Sequence, residues 1–127
     1  MKLEAGDAYW DDSSRSSIKH LYFILGVEEQ IGNTIVAVVN ITSNNPSKEQ
    51  TCLIYPNEHR NILHESVVYY REARLLIHER LYDDIIKGVI RKADSASQEL
   101  LDRMIDGGKK SKQIPIEVKR MLKRLYP

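Results

Sequence analysis

The run Val36-Ala-Val-Val-Asn-Ile-Thr-Ser43 is apolar and β-branched, then stops in small polar side chains. That pattern predicts a buried strand whose end delivers hydrogen-bonding groups to a surface. Asn40, Thr42 and Ser43 supply an amide and two hydroxyls there. Upstream, His20-Leu-Tyr-Phe-Ile-Leu25 is a second apolar run within a strand predicted from Ile18 to Leu25. Gly26 to Asn33 reads as a turn with Gly32-Asn33 at its tip, so the two runs predict an antiparallel pair.

Outward from this pair, Gly6-Asp-Ala-Tyr-Trp10 reads as a turn entering a short strand, and Asp11 to Ser17 as a polar loop. Thr51 to Tyr55 and Ser66 to Tyr70 read as further strands, and Ala73 to Ile77 as more sheet after a break at Arg71-Glu72. After residue 78 the apolar period changes to that of helices. Leu81, Ile85, Ile86 and Val89 share one face of a helix from Glu79 to Val89. Asp94 or Ser95 is the expected cap of a helix over Ala96 to Ile105, with Gly107-Gly108 as its stop. Pro115 opens a last helix with Val118, Met121, Leu122 and Leu125 on its apolar face. That face can pack on the chain's own sheet or on a second copy. The expected fold class is α+β: a small β-barrel over residues 1–77, closed to remove its edges, then helices over 79–127, in one domain.

The chain has 127 residues, 42% hydrophobic and 29% charged, enough for one core and hardly for two. No stretch approaches the ~20 apolar residues of a membrane helix, and the polar start Met1-Lys-Leu-Glu4 is unlike a signal peptide. Cys52 stands alone, so no internal disulfide forms, and a cytoplasmic location is expected. Residues 1–108 hold 12 Lys/Arg against 17 Asp/Glu, a net −5, while residues 109–127 hold 7 against 1, a net +6. A basic end of this kind attracts nucleic acid or an acidic partner, or is simply a solvated helix face.

The chemistry-bearing candidates are His20, Asn40, Thr42, Ser43, His59, His64, Arg71 and Arg74. His59 and His64 are five apart, a poor match to paired zinc ligands, and no Cys or carboxylate set accompanies them, so no metal or other cofactor is expected. Each histidine has a packed or capping alternative, the Thr42 and Ser43 hydroxyls can cap a loop, and Arg71 and Arg74 can pair with Glu65 or Glu72 instead of phosphate. His78 reads as a surface residue. There is no Gly-x-Ser-x-Gly elbow and no phosphate-cradling glycine loop. Imidazole, hydroxyl, amide and guanidinium together suit metal-independent RNA cleavage. A base takes the ribose 2′-proton, an acid protonates the leaving oxygen, and donors stabilise the phosphorane. Histidine's ordinary pKa of about 6.5 lets it take either role.

These segments resemble the MazF/PemK toxin family. The likeness runs through Gly6-Asp-Ala-Tyr-Trp10, His20-Leu-Tyr22, Asn40-Ile-Thr42, Cys52, and Pro56-Asn-Glu-His59 through Ile62 to His64. It continues in Leu100-Leu-Asp-Arg-Met-Ile-Asp-Gly107 and Ile114-Pro-Ile-Glu-Val118, and it is closer to a divergent PemK-like branch. Where the family places Arg-Pro before the first long strand, this chain has Lys19-His20. The resemblance implies an SH3-like barrel and a toxin-like endoribonuclease acting on single-stranded RNA without metal. It further implies an antitoxin protein as partner and a homodimer as the usual assembly. Thr42 and Ser43 correspond to the family's Thr-Ser turn, and His20 takes the position of its arginine. The other reading of the same residues is a non-catalytic module that binds nucleic acid or protein.

Overall fold

The computed structural model describes residues 2–11 and 19–127. Its centre is a hairpin of two eleven-residue strands, β2 (His20–Gln30) and β3 (Asn33–Ser43). Leu21 lies across from Ile41 and Gln30 across from Asn33, which leaves Ile31-Gly32 as the turn. Gly32 has φ +88°, a left-handed conformation that glycine adopts without steric cost. β1 (Ala8–Asp11) pairs with β2. On the far side β3 carries two partners in succession: its C-terminal half pairs with β5 (Ser66–Val68), its N-terminal half with β6 (Arg74–Ile77). A 3-10 turn over Tyr70–Glu72 moves the chain from one to the other, at the break expected near Arg71-Glu72. β4 (Leu53–Ile54) adds to β5, and β7 (Arg91–Ala93) adds to β1. With α1 (His78–Ile86), α2 (Gln98–Lys110) and α3 (Ile116–Leu125), the architecture is α+β: a seven-stranded antiparallel sheet and three helices toward the C-terminus.

β3 is apolar at consecutive positions because both faces of the sheet are covered. Ala37, Val39 and Ile41 pack with Phe23 and Leu25 against Leu100 and Met104 of α2 and Val118, Met121 and Leu122 of α3. Val36 and Val38 point the other way, to Tyr9, Tyr22, Ile24 and Leu81 of α1. The side-chain period of two sends neighbours to opposite faces. Each fully buried Val or Ile contributes roughly 1.5–3 kcal/mol, so this hairpin anchors both cores. Cys52 sits in the first of them, 5% exposed.

Several expectations are corrected. The turn expected from Gly26 is strand: β2 runs on to Gln30 through a register shift between Ile24 and Gly26. A Cβ at Gly26 would lie 2.6 Å from Leu125 Cδ1, so the missing side chain leaves room for the Leu125 side chain of α3 against the strand. Gly107-Gly108 do not stop α2, which continues to Lys110; they are buried contact points under Tyr70 and Leu122. The cap of α2 is Ser97, whose hydroxyl accepts from Leu100 N at 3.1 Å. The C-terminal half is not purely helical, since β7 intervenes. The sheet is also open: among the described residues no ladder joins the outer strands β4 and β7. The β4 edge is covered in another way, by Arg103 of α2, which donates to the Leu53 carbonyl at 2.5 Å and pairs with Glu58. Apart from Asp11, the polar loop expected up to Ser17 lies outside the described residues, as does Ile18.

The basic tail is partly engaged inside the chain. Lys109 donates to the Tyr126 carbonyl, Lys110 pairs with Asp106, Lys119 donates to the Ser111 carbonyl, and Arg124 grips Glu28. The apolar stripe of α3 faces its own sheet, with Val118, Met121 and Leu122 fully buried. Arg124 holds both Glu28 oxygens, at 2.8 and 3.0 Å, and keeps that carboxyl below the ordinary glutamate range, with help from Gln30. A lowered folded pKa stabilises above the unfolded value and is lost as pH falls through the folded one. The stability deficit of Glu28→Gln in urea, present at pH 7, should therefore shrink below about pH 4. Among the described residues no helix is long and apolar enough to cross a membrane.

Candidate functional site

The C-terminal end of β3 and the start of β2 meet at one corner of the sheet. His20 and Thr42 flank the Leu21–Ile41 pair, and Ser43 pairs across to Ser66 of β5. The segment before β5 brings in His64. Ile62, 4% exposed, anchors that segment in the core, and Ser66 Oγ donates to the His64 carbonyl at 2.9 Å. Asn44 ties the two loops together by donating to Glu65 Oε2 at 2.7 Å and exchanging amide bonds with Gln50. The result is an exposed hydrogen bond of 2.7 Å between Ser43 Oγ and His64 Nε2. It borders a cleft of about 300 Å³ lined also by Trp10, Lys19, His20 and Thr42.

One functional group here was not anticipated. Lys48 Nζ donates to Thr42 Oγ1 and to the Ser43 carbonyl, both at 2.8 Å. These two bonds hold the ammonium against the strand end that borders the cleft. The signal was local. Asn45-Pro-Ser47 forms a side-chain-stabilised turn, with Asn45 Oδ1 accepting from Ser47 N at 2.9 Å, and that turn folds Lys48 back onto the strand end.

The other candidates lie elsewhere. His59 does not join the cleft. It is 6% exposed, sits edge-on to Phe23, accepts from Asn61 N through Nδ1 at 3.1 Å, and faces the Asp94 carbonyl through Nε2 at 2.6 Å. With Nδ1 accepting, the proton is on Nε2 and donates to Asp94; the ring holds a loop. Asn40 is 3% exposed and faces Tyr22 across the ladder; its carbonyl accepts from Tyr69 N, and its Oδ1 has no partner among the described residues. Arg71 is exposed in the 3-10 turn. Arg74 pairs in register with Val38, stacks over the Tyr22 ring and donates to its hydroxyl at 3.3 Å, in a second cleft. His78, expected at the surface, is 3% exposed: Nε2 accepts from Leu3 N at 3.0 Å and Nδ1 meets Glu79 at 3.0 Å. Of the eight candidates, the structure brings together His20, Thr42, Ser43 and His64.

Chemically, the cleft offers two imidazoles, the hydroxyls of Thr42, Ser43 and Ser66, the Lys19 ammonium and an indole. Among the described residues no side chain holds His64 Nδ1, so Ser43-His64 lacks the third group that orients a nucleophilic serine. No group of three or more His, Cys, Asp or Glu that could hold a metal ion is gathered among the described residues. Compared with known proteins, the chain matches no family model, no curated protein and no solved structure.

Proposed function

We propose that this chain is an endoribonuclease that cleaves single-stranded RNA by acid–base chemistry in the His20–Thr42–Ser43–His64 cleft. The observation that carries the reading is the 2.7 Å Ser43–His64 contact at the mouth of a cleft that also holds His20 and lysine charge. A 2′-hydroxyl entering beside His64 replaces Ser43 as the ring's partner, and the second imidazole is available for the leaving oxygen. Lys48 and Lys19 supply positive charge toward the phosphorane. Trp10 offers an apolar face on which a base can stack. On this reading the protein is a toxin of the MazF/PemK kind, and the curled sheet is an SH3-like barrel whose last ladder is not made. A cognate antitoxin would cover the cleft.

The rival reading is a non-catalytic binding module. One observation favours it: Nε2 of His64 is already engaged and nothing among the described residues orients Nδ1. The double variant His20→Ala/His64→Ala separates the two. Both rings are at least partly exposed, so the variant should fold with an unchanged circular dichroism spectrum. If the protein is a ribonuclease, its induced expression arrests growth and the double variant does not. Equal behaviour of the two proteins in growth and RNA cleavage would favour the module.

A further inference from the structure

A second cleft, of about 360 Å³, opens between the end of β1, β6 and α1. That volume is at the lower end of the usual range for small-molecule sites, about 300–1,000 Å³. Its polar lining is Tyr9, Asp11, Arg74, Arg80 and Asp84, over an apolar floor that includes Leu81. Tyr9 is 1% exposed, and its hydroxyl has no hydrogen-bond partner among the described residues. A buried hydroxyl without a partner costs free energy, so its place in a cleft wall points to a ligand. Tyr9 stacks on Tyr22 at 5.2 Å between centroids, and Arg74 lies over the outer ring. Neither Arg74 nor Arg80 has an ion-pair partner among the described residues.

The mixed charge narrows the ligand. A bare phosphate entering the cleft would meet the carboxylates of Asp11 and Asp84 as well as the guanidiniums. The lining suits an occupant that is partly apolar and carries acceptors on one edge and donors on another. Guanine fits. Its O6 and N7 take a guanidinium fork, and its N1–H and N2–H₂ are adjacent donors for one carboxylate. Adenine turns the N1 lone pair toward that carboxylate, cytosine turns N3, and uracil has a single N–H between two carbonyls. Asp11 of this cleft pairs across the ladder with His20.

We propose that the Tyr9–Arg74–Arg80–Asp84 cleft is a nucleobase pocket that selects guanine in an RNA strand. The inference rests on the ribonuclease reading for its biological use, but its chemistry can be tested alone. In isothermal titration, guanosine monophosphate should bind at least tenfold tighter than adenosine monophosphate, and inorganic phosphate should not compete at equal concentration. Asp84→Asn and Arg80→Ala should each remove most of that preference. Tyr9→Phe should weaken guanosine monophosphate binding a few fold while leaving the thermal midpoint unchanged or higher, because it deletes an unpartnered buried hydroxyl; a structural hydroxyl would lower it. Equal binding of the two nucleotides, effective competition by phosphate, or no nucleotide binding would overturn the pocket. If RNA is cleaved without regard to guanine and the nucleotides bind alike, the pocket falls and the ribonuclease stands. If guanosine monophosphate binds selectively but no RNA is cut, the pocket stands and the ribonuclease falls.

Discussion

His64→Ala should slow RNA cleavage by about 100- to 10,000-fold, the usual worth of a positioned acid or base. On the proposed ribonuclease reading the loss should fall on kcat, with KM changed little, because the ring would serve proton transfer while Lys19, Lys48 and Trp10 would remain to hold the strand. His64 is exposed and its ring bonds the hydroxyl of Ser43, so the thermal midpoint should move little. Ser43→Ala is the informative companion. It removes a resting partner of the imidazole rather than a proton carrier, and should cost less than tenfold. Single-turnover cleavage of a labelled RNA strand measures both. A Ser43→Ala effect as large as that of His64→Ala would mean that the hydroxyl is itself a reacting group.

Gly107→Ala should be the most damaging small substitution in the fold. A Cβ there would lie 2.3 Å from Tyr70 Oη and 3.2 Å from Cys52 Cβ. Tyr70 is 1% exposed, and its hydroxyl donates to the Met104 carbonyl at 2.7 Å. Burial also pushes that phenol's pKa far up, so it stays a neutral donor. The ring cannot retreat without breaking its hydrogen bond and disturbing α2, Cys52 and the turn that joins β5 to β6. Overpacking costs about 1–3 kcal/mol and an orphaned buried hydroxyl about 1–3 more. Against a typical total of about 5–15 kcal/mol, the urea midpoint should drop sharply. In an ordinary exposed helix the same change stabilises by up to about 1 kcal/mol, so even the sign tests the packing.

What could be read from residues alone follows from how local each signal is. The β2–β3 hairpin, the apolar faces of α2 and α3, and the polar end of β3 all show in short windows, because side-chain period and composition carry them. Gly26 and Gly107-Gly108 depart from the sequence expectation for a shared reason. A glycine that ends an element and one that lets another element approach look alike in sequence, and only Leu125, Tyr70 and Leu122 tell them apart. β7 has the sequence Arg-Lys-Ala and is held to β1 by its backbone, so neither its period nor its polarity marks it. The way the open sheet's β4 edge is covered, by Arg103 reaching the Leu53 carbonyl, is a tertiary contact that no window contains.

The same holds at the site. Thr42, Ser43 and His20 were legible because strand ends fix them. His64 was legible only as a histidine in a polar loop. His59, five residues earlier, turned inward because Phe23 and the Asp94 carbonyl offer its ring a complete set of contacts. Arg74 sits in register with Val38, four residues along β3 from Thr42. At about 3.3 Å per residue that is roughly 13 Å, too far for one cleft. For Lys48 the only signal is the Asn45-Pro-Ser47 turn before it, and Arg80 carries none by type or spacing, since a single cation on a helix is common.

The most direct measurement is the chemical identity of the ends left when the purified protein is incubated with a defined single-stranded RNA in the presence of EDTA. Mass spectrometry should find a 2′,3′-cyclic phosphate, or the monophosphate formed from it, on one fragment and a 5′-hydroxyl on the other, with an all-deoxy strand of the same sequence left whole. Intact RNA after prolonged exposure to folded protein, or fragments bearing 3′-hydroxyl and 5′-phosphate ends, would contradict the assignment of His20 and His64 to 2′-hydroxyl attack.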